Sequence, residues 1–178
     1  MLRGEKVTLR PFEKEDMKLY HELHRNVDLV LMGGSAWEPY PLASFEKEME
    51  KHLGNEHPAE FIIEVDGRII GDIGLHDHPN RRAGCATLGV EILDPDYVGH
   101  GYGRDAINVL LRWAFRIMNY RRIYLFTMSI NERAIRCYRA CGFVEEGRMR
   151  QDDYCNGQYV DTVLMGILRE EWEARQAA

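Results

Sequence analysis

Residues 88–143 decide the fold, and they contain LGVEIL (88–93), VGHGYGR (98–104), IYLFTMS (123–129) and NERAIRCYRACGF (131–143). The first and third segments are short and mostly apolar, as strands are. The second is a glycine turn that opens a helix, which directs backbone N–H groups and the positive end of the helix dipole toward a pyrophosphate. The fourth begins at Asn131, a preferred helix N-cap, and ends at Gly142, a preferred helix C-terminus. Two strand–helix units, the first with an anion-binding turn, are therefore predicted.

The glycine turn alone does not identify the ligand. Gly99, Gly101 and Gly103 permit positive φ and close approach of a phosphate to the amides. A dinucleotide fold has Gly-x-Gly-x-x-Gly after the first strand, and a P-loop has Gly-Lys-Ser/Thr, whereas this turn continues Gly103-Arg104-Asp105. Neither nucleotide motif fits, and a tight loop ahead of a helix remains the alternative.

The rest of the chain extends this plan in both directions. Asp66-Gly67 between two β-branched runs predicts a hairpin, as does Asn156-Gly157 near the C-terminus. The other segments predict a strand (7–10), a helix (13–24), a loop that has room for a helical turn (26–42), a helix capped by Ser44 (44–53), a turn (80–84), a helix (103–119) and a charged tail (170–178). The order β-α-α-β-β-β-α-β-α-β-β indicates an α/β protein, a mixed sheet with helices on both faces.

Composition excludes several classes of protein. The 178 residues suit one domain, and a net charge of −6 does not favour binding to a nucleic-acid backbone. No run of about 18 apolar residues predicts a membrane span, and residues 1–6 contain no apolar signal core. The four cysteines form no Cys-x-x-Cys pair, so reduced thiols in a cytoplasmic protein are expected. Cys137 and Cys141 share one face of a predicted helix, where two packed thiols are expected and a zinc or redox site is the alternative.

Two motifs resemble those of the GNAT N-acetyltransferases. Val98-Gly-His-Gly101-Tyr-Gly103 is similar to the family's Arg/Gln-x-x-Gly-x-Gly/Ala turn, and Val98 replaces one polar side chain. Asn131-x-x-Ala134-x-x-x-Tyr138-x-x-x-Gly142-Phe143 resembles the family's second motif. The resemblance covers nearly the whole chain. The opening 4–11 and the stretch 142–165 are similar to the Rim-type branch, which includes ribosomal-protein N-terminal acetyltransferases and spermidine N-acetyltransferases.

This resemblance implies a fold and a co-substrate. The implied fold is the GNAT acyl-CoA N-acyltransferase fold over residues 1–178, a mostly antiparallel sheet whose fourth (88–93) and fifth (123–129) strands splay apart. The implied co-substrate is acetyl-CoA, and no metal is expected. By the resemblance, the cofactor-binding residues are Ile92, Leu93, Val98, Gly99, His100, Gly101, Tyr102, Gly103, Arg104, Asn131, Ala134 and Tyr138.

The implied chemistry is direct attack of a primary amine on acetyl-CoA within a ternary complex. Tyr138 lies one helical turn after Ala134, where a phenol can protonate the departing CoA thiolate. Glu91, a carboxylate in an apolar strand, is a candidate general base with a raised pKa, or a strand-edge residue that faces solvent or pairs with an arginine. Asp72, His76 and His78 are the other candidate bases. His76-x-His78 has the spacing of a metal pair but lacks a third ligand.

The acceptor is the least determined part of the function. The resemblance favours a protein N-terminus or a small polyamine-like amine. The spermidine enzymes hold the polyamine with a glutamate on the third strand, where this chain has Gly74, and Glu38, Asp72 and Asp77 are candidates to replace it. An aminoglycoside acetyltransferase and a non-catalytic acyl-CoA-binding module are the alternatives. A homodimer formed through the C-terminal hairpin is compatible with the sequence, and neither a nucleic acid nor a membrane is an expected partner.

Overall fold

An eight-stranded sheet in the order β1-β2-β3-β4-β5-β6-β8-β7 is the centre of the structure. The computed structural model describes residues 1–33, 41–53, 60–77 and 83–177; Glu38, His78, the side chain of Asp77 and most of the turn at 80–84 lie outside this part. All neighbouring strands are antiparallel except β5 and β6. The strands are β1 (Leu2–Arg3), β2 (Thr8–Arg10), β3 (Glu60–Val65), β4 (Arg68–Asp77), β5 (Cys85–Ile92), β6 (Arg122–Met128), β7 (Val144–Cys155) and β8 (Gln158–Leu168). The predicted mixed, mostly antiparallel sheet is confirmed.

Helices cover both faces of this sheet, as predicted. They are α1 (Met17–Leu23), α2 (Val27–Met32), α3 (Leu42–Leu53), α4 (Tyr102–Arg116), α5 (Glu132–Cys141) and α6 (Arg169–Gln176). Tyr20 of α1 hydrogen-bonds Asp72 of β4 and packs against Phe45 of α3, so α1 and α3 cover the Asp72 face. The next residue, Ile73, points to the opposite face and joins a buried cluster with Ile107 of α4.

The core lies mainly between α4 and the sheet. Ile107, Leu110 and Leu111 of α4 are at most 1% exposed, and they pack in one cluster with strand residues such as Ile123 and Leu125. Burial of each such side chain contributes about 1.5–3 kcal/mol. Because α4 directly follows the glycine turn, its packing fixes the turn against β5.

The structure differs from the sequence prediction at several element ends. Residues 27–32 form the helix α2 within the segment where a loop with room for one helical turn was predicted, because Asn26 caps the helix by accepting the N–H of Leu29 and because Val30 is buried. The charged tail contains α6. Trp172 anchors this helix by packing against Phe115, with the two ring centroids 5.5 Å apart. Helix α4 begins one residue before the predicted start and ends three residues before the predicted end, and α3 begins two residues early.

Among the described residues, no helix combines the length and the apolar character that crossing a membrane requires.

Candidate active site

A cleft opens where the two parallel strands diverge. β5 and β6 pair only from Cys85 to Thr87 and from Arg122 to Tyr124 in the described residues. Beyond that point β5 continues beside β4 and β6 continues beside β8. A cavity of about 430 Å³ occupies this opening. This volume lies within the range of sites for small ligands and cofactors. The splay expected between these two strands is therefore present, and the cleft is the candidate active site.

The glycine turn forms one wall of the cleft and presents a helix N-terminus to it. Gly99 and Gly101 have φ of +86° and +85°, a conformation that only glycine adopts without strain. Gly101 is the N-cap of α4 and offers no side chain to cap the first turn. The first-turn N–H groups are therefore suited to a bound anion, as the sequence predicted.

Most of the predicted binding residues line the cleft, but three do not. Those that line it are Glu91, Ile92, Val98, Gly99, Gly101, Gly103, Arg104, Asn131, Ala134 and Tyr138. Leu93 lies in the core, 1% exposed, and its N–H donates to the Ile70 carbonyl at 2.8 Å. His100 is exposed and contributes its backbone carbonyl to Lys6, while the Tyr102 ring packs 5.3 Å from the Tyr97 ring. Alternate residues of the turn thus face the cleft, and His100 and Tyr102 face away from it.

Cationic side chains surround this end of the cleft, and the sequence reading missed three of them. The Nζ atom of Lys6 donates to the His100 carbonyl at 3.0 Å, so its ammonium sits beside the turn. Asp105 of α4 holds that segment in place by accepting backbone N–H groups of residues 5–7. Arg133 and Arg136 of α5 line the cleft together with Arg104. Lys6 is about 90 residues from the turn, and no local motif connects the two.

Asn131 connects two helices at the floor of the cleft. Its Oδ1 accepts the N–H of Ala134 at 3.2 Å, which confirms the predicted N-cap of α5. Its Nδ2 donates to the Met32 carbonyl at the end of α2, at 2.8 Å. Asn131 therefore positions both α5 and α2, and its predicted contact with a pantetheine amide stays a prediction.

Tyr138 projects from α5 into the cleft wall. It is 9% exposed and its ring centroid lies 6.1 Å from that of Phe143, which is buried as predicted. Burial, followed by the nearby Cys137 and Glu91, raises the pKa of the Tyr138 phenol well above its usual value. The phenol carries its proton at neutral pH, as an ordinary tyrosine does, and the raised pKa makes it a weaker acid than an exposed tyrosine.

The cleft also contains one thiol, that of Cys137, half-buried on the same helix. Cys137 and Cys141 are both free thiols. A hydrogen bond from Cys141, together with Arg104 and Arg133, lowers the pKa of the Cys137 thiol. The pKa of Cys141 is raised in return, because its proton is held by this bond and because it is buried.

A pair of carboxylates faces α1 at the splayed strands. Asp72 of β4 lies directly across from Glu91 of β5, so both side chains project from the same face of the sheet. The Tyr20 hydroxyl donates to Asp72 Oδ1 at 2.9 Å. A Cβ on Gly33 would lie 2.6 Å from Glu91 Oε1, so a glycine at the end of α2 gives this carboxylate its space. Two like charges are thus held together in a partly buried position.

This environment changes the protonation of Asp72. Burial, then the charge of Glu91, raises the pKa of Asp72 to about 7, while the Tyr20 hydrogen bond acts in the opposite direction. A carboxyl group with a pKa near neutrality can accept and release a proton at the working pH. The sequence identified Asp72 and Glu91 as separate candidates for the base, and the structure brings them together.

His24 completes this cluster. Ligand atoms of His24, Asp72 and Glu91 lie within 4.8 Å of one another, a spacing that suits either a cation or a proton relay. The Nδ1 atom of His24 lies 3.0 Å from the Tyr20 carbonyl, which favours the tautomer with its proton on Nδ1. His76, in contrast, is exposed and has its Nδ1 atom 3.8 Å from Glu60. Tyr20 and His24 were not predicted, because nothing in the α1 sequence distinguishes them from residues of an ordinary amphipathic helix.

Comparison with known proteins agrees with this geometry. Residues 6–144 match the family model of the acetyltransferase (GNAT) domain. A spermidine N(1)-acetyltransferase of Escherichia coli K12 is 31% identical over 173 residues, which cover 94% of this chain and 89% of that protein. A Bacillus subtilis protein provisionally named a ribosomal N-acetyltransferase, YdaF, is 32% identical over 113 residues, 62% of this chain and 60% of that protein.

A solved structure provides the corresponding comparison of folds. The spermidine N-acetyltransferase of Vibrio cholerae in complex with CoA and spermine superimposes with a TM-score of 0.84. The two chains are 30% identical, and the match covers 96% of this chain and 99% of the other.

Proposed function

The chain belongs to the GNAT acetyltransferases and uses acetyl-CoA, and from this premise we propose that it acetylates a primary amine of a polyamine of the spermidine class. The observation that carries the choice of acceptor is the partly buried pair Asp72–Glu91 beside the splayed strands. Two adjacent carboxylates attract an ammonium group strongly where solvent screening is reduced. Relatives named spermidine N-acetyltransferases support the same choice.

The two ends of the cleft carry opposite charge, which matches the two substrates. Lys6, Arg104 and Arg133 lie near the glycine turn and the N-terminal part of α5, where the phosphates of acetyl-CoA are proposed to bind. Glu91 lines the cleft beside Gly33 at the end of α2, and Asp72 lies next to Glu91 on β4, toward α1. An anionic donor and a cationic acceptor therefore enter from different sides and meet between β5 and β6.

The carboxylate pair also serves as the general base in this proposal. A polyamine ammonium has a pKa near that of lysine, about 10, so it must lose a proton before it attacks. The pKa of Asp72 rises from 3.8 to about 7, which lowers the free-energy cost of proton transfer from the ammonium to this carboxylate by about 4 kcal/mol. The proton moves from the amine to the pair, directly or through one water molecule.

Acetyl transfer then proceeds by direct attack. The amine nitrogen forms a bond to the thioester carbonyl carbon, the carbon–sulfur bond breaks, and CoA leaves as a thiolate. Beyond Thr87, no described strand pairs with the cleft side of β5, and the backbone N–H groups on that side stabilise the carbonyl oxygen during attack in this proposal. The Tyr138 phenol, which lines the cleft, supplies a proton to the thiolate.

A protein N-terminus is the second candidate acceptor. An α-amino group has a pKa of about 8. This value is closer to the Asp72 pKa of about 7 than the pKa of a polyamine ammonium is. The partial match to YdaF points the same way. The paired negative charge favours the polyamine, because a single α-amine next to a neutral peptide supplies only one cation.

The test is acetyl-CoA-dependent release of free CoA thiol with spermidine, spermine, an aminoglycoside and short peptides as acceptors. We expect saturable turnover with the polyamines and little with the peptides. We further expect Asp72→Asn to reduce kcat/KM for spermidine at least about tenfold while the KM for acetyl-CoA is retained. Glu22→Gln, which removes an exposed carboxylate on α1, is the matched control. Preferential turnover of a peptide N-terminus would refute the polyamine assignment.

A further inference from the structure

Cys137 is the cysteine that lines the cleft. It lies on α5 between Ala134 and Tyr138, and all three residues line the cavity. The remaining cysteines, Cys85, Cys141 and Cys155, are buried and are not part of the lining. Of the four thiols, Cys137 is therefore the one presented to the coenzyme cleft.

Two features favour the thiolate form of Cys137. The first is the single S–H proton of Cys141, which has two acceptors in reach, the Arg104 carbonyl at 3.8 Å and the Cys137 sulfur. A charged sulfur is the stronger acceptor, so this proton turns toward Cys137 when Cys137 ionises. The second is the positive charge of Arg104 and Arg133, which lowers the pKa of the Cys137 thiol further.

We propose that Cys137 is a modification site for oxidised coenzyme A, the symmetric CoA disulfide, which forms a mixed disulfide with this residue inside the cleft. The inference rests on the proposed function only in taking the cleft as the coenzyme site. Each half of CoA disulfide carries the same phosphates as acetyl-CoA. The cationic residues and the glycine turn of the cleft are therefore equally suited to bind it. The reacting sulfur is then carried into the cleft that contains Cys137.

The exchange balances without another reactant. The Cys137 thiolate attacks one sulfur of CoA disulfide, the sulfur–sulfur bond of CoA disulfide breaks, and a bond between Cys137 and that sulfur forms. The second CoA leaves as a thiolate and takes up the proton that Cys137 gave up to solvent. Cys137 is oxidised, the departing CoA sulfur is reduced, and the coupled CoA blocks acetyl-CoA from the cleft.

Cys141 is poorly placed to attack the mixed disulfide and release CoA from Cys137. Cys137 and Cys141 are four residues apart on one helix, so their Cβ atoms lie about 5–6 Å apart. A disulfide spans only about 3.5–4.5 Å between Cβ atoms, so closing one here would require α5 to unwind. The mixed disulfide therefore persists until an external thiol removes it, and the site acts as a reversible block on the acetyltransferase.

The experiment incubates the full chain with CoA disulfide and follows intact mass and peptide maps. We expect one CoA moiety on Cys137, with transferase activity lost in proportion and restored by dithiothreitol. Glutathione disulfide at the same concentration should react at least about tenfold more slowly, because binding raises the effective concentration of the CoA sulfur. Saturating acetyl-CoA should protect, and Cys137→Ser should not react. Cys85→Ala is the matched control.

Several results would overturn the proposal. They are labelling of another cysteine in the wild-type chain, equal rates with glutathione disulfide, and labelling that acetyl-CoA does not slow. Calorimetric titration measures whether the chain binds acetyl-CoA, and so distinguishes failure of the Cys137 proposal from failure of the proposed function. Binding without an adduct overturns only the thiol proposal, and absence of binding overturns both. Because the peptide map uses the wild-type chain, the test does not depend on how any variant folds.

Discussion

The hydrogen bond from Tyr20 to Asp72 offers a sharp test of the proposed base. Tyr20→Phe removes the hydroxyl that donates to Asp72 Oδ1 at 2.9 Å and keeps the ring, which packs against Phe12, His24 and Phe45. This bond favours the charged form of Asp72 and opposes burial and the charge of Glu91, which together raise the pKa of Asp72 to about 7. Its removal should therefore raise that pKa further.

The size of the effect follows from the strength of the bond. A hydrogen bond to a charged group contributes about 1.5–3 kcal/mol. One pKa unit corresponds to 1.36 kcal/mol, so the pKa of Asp72 should rise by about one to two units. The ionised fraction of Asp72 at pH 7 would then fall from about one half to between about a tenth and a hundredth. We expect kcat/KM for the amine at pH 7 to fall by about five- to fiftyfold.

The assay is the pH profile of kcat/KM, expressed as the ratio of variant to wild type. The ratio should return toward one above pH 9, because both proteins then carry ionised Asp72. Tyr159→Phe, an exposed tyrosine on the C-terminal hairpin, should match the wild type throughout. A loss that stays constant from pH 6 to pH 9 would show that Tyr20 affects something other than the protonation of Asp72, and the assignment of the base would be withdrawn.

Three further predictions follow from the same contacts. Tyr138→Phe should lower kcat at least about tenfold while the Kd for acetyl-CoA by titration is unchanged; an unaltered kcat would remove Tyr138 as the acid. Lys6→Met should raise the KM for acetyl-CoA about two- to fivefold at low salt and less at high salt, with kcat unchanged, and Lys18→Met should do neither. Asp72→Asn should raise the free energy of unfolding by about 1–4 kcal/mol at pH 8, because the raised pKa means that the folded wild type loses stability as pH rises from 3.8 to about 7. Chemical denaturation should show this gain vanish near pH 4, and a gain independent of pH would contradict the origin proposed for it.

Local sequence signals correctly predicted the hairpin turn and the helix caps that build the elements around the site. The Asp66-Gly67 turn of the β3–β4 hairpin and the caps Asn131 and Gly142 were predicted from backbone preferences of single residues. Such signals were too weak at α2 and α6. The six residues of α2, VDLVLM, are nearly all apolar and too few to show a helical period, and α6 is mostly charged and held by one buried residue, Trp172.

Apart from β1, α2 and α6, the sequence alone determined the order of the elements, the glycine turn and the helix that carries Tyr138, since periodicity, capping and positive φ act over a few residues. The tertiary structure alone decided the acid pair and its neighbours. Asp72 faces Glu91 through the register of β4 on β5, and a slip of one residue would move every side chain to the other face. Tyr20 meets Asp72 across 52 residues and Lys6 meets His100 across 94. Burial and charge proximity set the pKa of Asp72, and both arise only when these distant segments pack together.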